Sequence, residues 1–450
     1  MDAQRRTQNR MRARQETARL AAEGVRAVAL TFVDNAGITR VKTVPVDRLP
    51  DAARWGVGMS PVFDVYLADD SATTSRFIGG PDGDLRLFPD LDALTVLAAQ
   101  PGWAHTPVDR YDQQYHPYPG CQRAFARRQA QRAREQGFEL RMGFETEWIV
   151  TRADTGRYPT EGPAYGMVRL VEMADYLRAV LDALTEEGVE VLQLHPEYAP
   201  GQFEVSTVPA EPVAAADLAV LVRETVRAVS VQHGLRASFA PAFEAFGVGN
   251  GGHLHLSLWQ DGANLLRGGP GPHGLTRTGE SFLAGIFDAL PALLAIGVPS
   301  PAGYLRLVPS RWAGAYHCWG LENREAALRL ITGSPDDPGA ANAEVHSFDS
   351  SANPYLAVGA VIAAGLEGIG TQAKLPPPVQ GDPALGPPGG PERLPTTLPQ
   401  ALEHFERAAV LRTALGDPLF EAIAAVRKAE AERFGALSPQ QLADATRWRY

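Results

Sequence analysis

The chain has 450 residues, 45% of them hydrophobic and 21% charged, with a formal net charge of −10. That length can bury a large core and favours two domains, and the composition is that of a globular enzyme. The acidic balance argues against a general nucleic-acid binder, and the only cysteines, Cys121 and Cys318, leave no disulfide framework and no Cys-x-x-Cys motif.

Residues 1–24 read as a charged surface helix without the apolar segment of a signal peptide. The longest apolar run, 356–366, is too short to cross a membrane, so a cytoplasmic protein without membrane contact is expected. Val28, Leu30 and Phe32 then alternate toward an Asn35-Ala36-Gly37 turn, with a second strand after it, which reads as a β-hairpin. Further strands are expected over 83–91 and 94–100, so residues 25–108 form a small β-rich unit and 109–450 a larger one. Apolar periodicity predicts helices over 120–137, 165–188, 212–233, 281–296, 353–370 and 399–434. The proline-rich stretch 375–396 reads as a rigid surface loop. No internal repeat is visible.

Four short strand candidates share polar, metal-competent side chains at i and i+2. They are Glu145 and Glu147 in GFETEW, Gln202 and Glu204 in GQFEV, His253, His255 and Ser257 in GGHLHLSL, and Glu344 and His346 in AEVHSF; Glu197 precedes the second. Alternation puts each set on one face, with Trp148 or Leu254, Leu256 and Leu258 on the other. Any single pair reads better as a solvated sheet face. Five carboxylates in one cavity would instead repel unless protonated or neutralised, and Mg²⁺ or Mn²⁺ suits such oxygen ligands with one or two imidazoles.

In order, GFETEW, HPEYAPGQFEV, GNGGHLHLSL, YLRLVPSRWAG, ENREAALRL and SSANPYLAVGAVIAAGLEGI resemble the signature blocks of type I glutamine synthetases and their γ-glutamyl-amine ligase relatives. The resemblance runs from residue 25 to the C-terminus; ANPYLA alone would be weak, whereas six ordered blocks are specific. It implies an α+β fold, with a small N-terminal β-grasp domain and a large catalytic domain whose antiparallel sheet floors the site. It also implies ATP and two to three Mg²⁺ or Mn²⁺ ions. Glu147, Glu197 and Glu204 would hold the ion nearer the acid substrate, and Glu145, His253 and Glu344 the ion bridging the ATP phosphates. His255 and Ser257 would contact the nucleotide, Arg324 and Arg329 would neutralise the transferring phosphoryl group, and Arg306 and Gly249 would bind the amino acid. Self-association is implied as a dodecamer of two hexameric rings, each site completed by a neighbour's N-terminal domain.

Several positions depart from the family pattern. Trp312 stands where true glutamine synthetases carry a flap glutamate that helps bind ammonium. An indole replaces charge with a flat apolar face, which suits a bulkier amine. His346 and Asn342 stand where arginines are usual; His346 is kept as a substrate-binding candidate, and either the acid is not simply glutamate or another residue replaces the arginine's contact. The family's Asp-Gly-Ser-Ser loop is not recognisable, and Asp64 is the nearest substitute. No tyrosine lies between Tyr355 and Tyr450, so control by adenylylation there is excluded. The expected activity is ATP-dependent formation of a γ-glutamyl or related amide through an acyl phosphate, with an organic amine as nucleophile and with Trp312, Arg324, Arg329 and His346 at the reacting groups. The alternatives are authentic glutamine synthesis from ammonia and a catalytically silent homologue serving as scaffold or sensor.

Overall fold

A computed structural model describes residues 1–450 and builds them around two sheets. The smaller sheet holds β1 (Ala27–Val33), β2 (Thr39–Pro45), β3 (Val57–Met59), β4 (Leu85–Pro89), β5 (Thr95–Val96) and β6 (Trp103–Tyr111), in the order β2-β1-β6-β4-β3 with β5 on β6. The hairpin is present: β1 and β2 pair antiparallel from Ala27–Pro45 to Val33–Thr39. Gly37 closes its turn at a φ of 85°, which only glycine adopts without strain. The strand expected over 94–100 shrinks to two residues because the chain turns back, Gln100 N donating to Leu97 O. Strand β6 carries this sheet to Tyr111, past the boundary expected at 108. Helix Ala3–Ala22 lays Ala13 and Leu20 into the sheet's core beside Val28, Leu30 and Leu87.

The larger sheet holds β7 (Glu139–Arg152), β8 (Val191–Pro196), β9 (Gln202–Thr207), β10 (Leu235–Ser238), β11 (Leu254–Gln260), β12 (Ala263–Asn264), β13 (Tyr316–Leu321), β14 (Ala326–Ile331) and β15 (Asn342–Val345). Its order is β13-β14-β15-β11-β7-β9-β8, with β10 on β7 and β12 on β11. All pairs are antiparallel except β13 with β14. Trp148, Phe203 and Val205 point from β7 and β9 into one core, and Leu254, Leu256 and Leu258 from β11 into another. Each such burial contributes about 2–3 kcal/mol, and together they fix the register that turns the carboxylates the opposite way.

Helices Arg277–Gly297 and Pro354–Thr371 are long and apolar enough to cross a membrane by composition. Here 72% and 78% of their apolar windows are buried within the fold, in the same core as the β11 leucines. Two expected helices are divided. The one over 165–188 becomes Met167–Glu172 and Ala174–Glu186, broken at Met173 (φ −113°, ψ 14°). The one over 399–434 becomes Leu398–Arg407, Ala409–Leu415 and Asp417–Phe434, with Gly416 at a φ of 77° between the last two. Helix Asp417–Phe434 joins the two sheets' regions: Ala422 packs in the smaller core, Arg427 donates to Asn35 O (2.8 Å) and Ala295 O (2.6 Å), and Glu430 accepts from Ala68 N (3.0 Å).

Candidate active site

Strand register gathers the acidic residues. Glu147 on β7 sits opposite Glu204 on β9, which sits opposite His195 on β8. On the other side of β7, His255 on β11 lies opposite Glu344 on β15, which lies opposite Arg329 on β14. Two adjoining clusters result, linked by His253, whose Nε2 is 4.0 Å from Glu147 Oε1.

In the first cluster, His253 Nδ1 is 3.1 Å from Glu145 Oε2 and 3.2 Å from Glu344 Oε1. His255 Nε2 is 3.2 Å from Glu145 Oε1, while its Nδ1 meets Asn342 Oδ1 at 2.9 Å. Arg329 Nη1 donates to Glu344 Oε2 at 2.9 Å. Burial opposes ionisation of Glu145, but hydrogen bonds from His253 and His255 outweigh it and hold the carboxyl below its usual range. Glu344 is likewise buried yet held well below its usual range, by His346 first and then His253 and His255. The His255 ring is pushed up to about 9, the pull of Glu145 and Glu344 exceeding the cost of burial.

The second cluster behaves oppositely. Burial, then repulsion from Glu204 and Glu197, drives Glu147 well above its ordinary value, and burial with Glu204 raises Glu197. Ligand atoms of His195, Glu197 and Glu204 lie within 4.8 Å of one another. Two like charges at that separation repel by about 3–4 kcal/mol at an effective dielectric near 20. A divalent cation relieves this, and the local geometry fits one. His253 Nε2 is buried without a hydrogen-bond partner, and Gly251 leaves the space a side chain would fill, since a Cβ there would come within 2.7 Å of Glu147 Oε1 and overlap the His253 ring. Gln202, fully buried, orients the pocket by donating to Glu147 Oε2 (2.9 Å) and Gly249 O (3.0 Å).

The remaining expected residues surround these clusters. Arg306 is buried; its Nη2 donates to Ser347 O and Phe348 O at 2.7 and 2.8 Å, and its Nε has no protein partner. Burial lowers its pKa against the pull of Asp349 and Glu147. Gly249 packs so tightly on the Pro241 carbonyl that no side chain fits. Ser257 Oγ accepts from Trp259 Nε1 at 2.8 Å, on the same face of β11 as His255. Arg324 is exposed at the rim, beside Trp312 and Glu325 in an open pocket.

Trp312 is 62% exposed, and its backbone is held on both sides: its N–H donates to Glu325 Oε1 (2.7 Å) and its carbonyl faces His346 Nε2 (2.7 Å). The His346 ring stacks on His253 at 4.2 Å, with Nδ1 against Glu344. Both ring nitrogens are therefore occupied by protein groups. Asp64 does not reach this region; it is fully buried and gripped by Arg110 Nη1 at 2.8 and 2.9 Å.

The sequence reading missed His195. Its Nε2 is 3.3 Å from Glu204 Oε1 and its Nδ1 3.5 Å from Glu197 Oε1, and Glu204 first of all lifts its pKa to about 9. The same i, i+2 spacing was present in HPE, where the intervening proline and strand end hid it.

Residues 119–443 match the family described as glutamine synthetase, catalytic domain. The chain is 53% identical over 442 residues to a protein of Streptomyces coelicolor named gamma-glutamylpolyamine synthetase, covering 96% of this chain and 95% of the relative. It is 30% identical over 425 residues to the glutamine synthetase of Halobacterium salinarum, covering 91% and 90%. A crystal structure described as a novel glutamine synthase homolog superposes with a TM-score of 0.86 at 34% identity, covering 95% of this chain and 99% of that one.

Proposed function

The chain belongs to the glutamine synthetase family, and from that premise we propose which amine it takes and how its residues divide the work. It is an ATP-dependent carbon–nitrogen ligase of the γ-glutamyl-amine type, acting on an organic amine. We propose that the acid is glutamate and the amine a polyamine. The observation that carries this reading is Trp312, an exposed indole at the position of the family's flap glutamate, whose backbone N–H is held by Glu325. An exposed aromatic face suits an extended polycation better than ammonium. Similarity to the Streptomyces γ-glutamylpolyamine synthetase supports the same choice.

Glu145, His253 and Glu344 would hold one divalent ion and Glu147, Glu197 and Glu204 a second, with His195 beside the second and room for a third unassigned. Such ions supply charge neutralisation where two anions must approach for phosphoryl transfer. Arg306 receives the α-carboxylate of the amino acid with its unpartnered Nε, and Gly249, in the loop packed on Pro241 and Arg306, contacts that substrate through its backbone. His255 and Ser257 meet the nucleotide phosphates. Arg324 and Arg329 meet the equatorial oxygens of the transferring group. The carboxylate activated as an acyl phosphate is then attacked by the neutral amine, and Trp312 covers the site against water. His346, tied to Glu344 and to the Trp312 carbonyl, acts as a positioning residue that couples the flap to the phosphate-side cluster. The assembly proposed is a dodecamer of two hexameric rings, and the compartment the cytoplasm.

Phosphate release from ATP with Mg²⁺ or Mn²⁺ tests the reading, using glutamate with putrescine, spermidine, ethanolamine or ammonium. Turnover that depends on a polyamine is expected. Turnover with ammonium alone would assign glutamine synthesis, and ATP binding without turnover on any pair would assign a silent homologue.

A further inference from the structure

Buried arginines in this molecule are, with two exceptions, spent on the protein itself. Arg110 pairs with Asp64, Arg123 with Asp90, Asp109 and Asp217, and Arg427 gives Nε and Nη2 to the carbonyls of Ala295 and Asn35, with Nη1 3.7 Å from Glu430. Arg169 is saturated by the carbonyls of Gly162, Glu197 and Ala199. The first exception, Arg306, belongs to the active site. The second is Arg223, on helix Pro212–Gln232, whose residue is 6% exposed. Its Nη1 donates to Ser350 O at 2.7 Å, but Nε and Nη2 are buried with no partner, and no carboxylate lies within ion-pair distance.

Arg223 lines a cavity of about 350 Å³ formed by the β1–β2 turn, the helix, β10 and the last residues of the chain. Arg227, Arg236 and Arg449 line it too, with Glu224 the one acidic side chain among the lining residues. Arg227 is answered by Glu224 and Arg449 by Asp70, whereas Arg236 has no acidic partner and sits over the Trp448 ring, its Cζ 3.8 Å from the centroid. The main-chain oxygen of Tyr450, at the cavity wall, is taken by the Phe239 amide at 3.2 Å. Burial lowers the pKa of Arg223 to about 10, still far above neutrality, so the uncompensated charge persists there. An unpaired buried guanidinium is costly, and a planar fork with unpartnered N–H groups matches an oxyanion.

We propose that this cavity is a second binding site, separate from the active site, for a small organic anion bearing a phosphate or carboxylate group held between Arg223 and Arg236. The anchor is already tied to the catalytic loop. Ser350, whose carbonyl accepts from Arg223, donates through its Oγ to Gly251 O at 3.0 Å, two residues before His253.

The test is calorimetric titration of the full-length protein with inorganic phosphate and, in parallel, citrate, without divalent cations and in a Glu204→Ala background that removes a proposed active-site ligand. Saturable binding is expected, weakened at least tenfold by Arg223→Met and by Arg236→Gln; the tighter of the two anions identifies phosphate ester or polycarboxylate as the ligand class. Arg236 is exposed, so its variant decides the matter if Arg223→Met does not fold. Absence of saturable binding, or binding untouched by Arg236→Gln, would overturn the proposal. Both results are independent of whether the enzyme prefers a polyamine.

Discussion

At residue scale, two positions decide most of the proposed chemistry. Trp312 is exposed and its backbone, not its indole, carries the hydrogen bonds that hold it. Trp312→Glu should therefore fold normally. Because it exchanges a cation–π contact of about 1–2 kcal/mol for a carboxylate, the preference for polyamine over ammonium should fall about tenfold, read as the ratio of kcat/KM for the two amines. An unchanged ratio would mean the indole merely covers the loop. Gly251 is the second position, for reasons of space. A methyl group there must displace His253 or Glu147, the residues linking the two clusters. Gly251→Ala should weaken Mn²⁺ binding by about tenfold or more at little cost to secondary structure, since the clash is local. Titration followed by the electron paramagnetic resonance of free Mn²⁺ measures this directly.

At the scale of elements, the site is a consequence of strand register. Slipping β9 by one residue would turn Glu204 into the core and Phe203 into the pocket. The i, i+2 pairs on β7, β9, β11 and β15 were legible in the sequence because alternation of Trp148, Phe203 and the β11 leucines is strong. Their convergence was not, since Glu145 and Glu344 are distant in the chain and only the sheet order brings them together. His195 escaped for a related reason: its partner Glu204 lies across a hairpin whose register shifts at Val191–Gln193, so spacing alone could not align them. The bent helices also escaped, because apolar periodicity continues through Met173 and Gly416 while the backbone does not. The strand pairing makes a prediction for β8. His195→Ala should lower cation affinity by about 10–100-fold, the range for groups that support or complete a metal site. If His195 ligates the ion, electron spin-echo modulation of bound Mn²⁺ should lose a nitrogen coupling in the variant; an identical spectrum would leave His195 as a partner of Glu204 only.

At the scale of the whole molecule, helix Asp417–Phe434 locks the small sheet to the catalytic one through buried polar groups. Burial raises Glu430 from 4.5 to about 7, although Arg427 and the Ala68 amide pull the other way. Its carboxyl is thus protonated in the fold at pH values where the unfolded chain would ionise it. The stabilisation is fully present below pH 4.5 and disappears as pH rises through 7, a loss of up to about 3 kcal/mol. The Tm should accordingly fall more steeply between pH 5 and 7.5 in the wild type than in Glu430→Gln; parallel curves would show that the carboxyl ionises freely. The account as a whole turns on a ligase whose flap selects an extended amine. The most direct measurement is mass spectrometry of products formed from glutamate, ATP and Mg²⁺ when spermidine and ammonium compete at equal concentration. γ-Glutamylspermidine is expected as the main product, with glutamine minor or absent. Glutamine as the main product would contradict it.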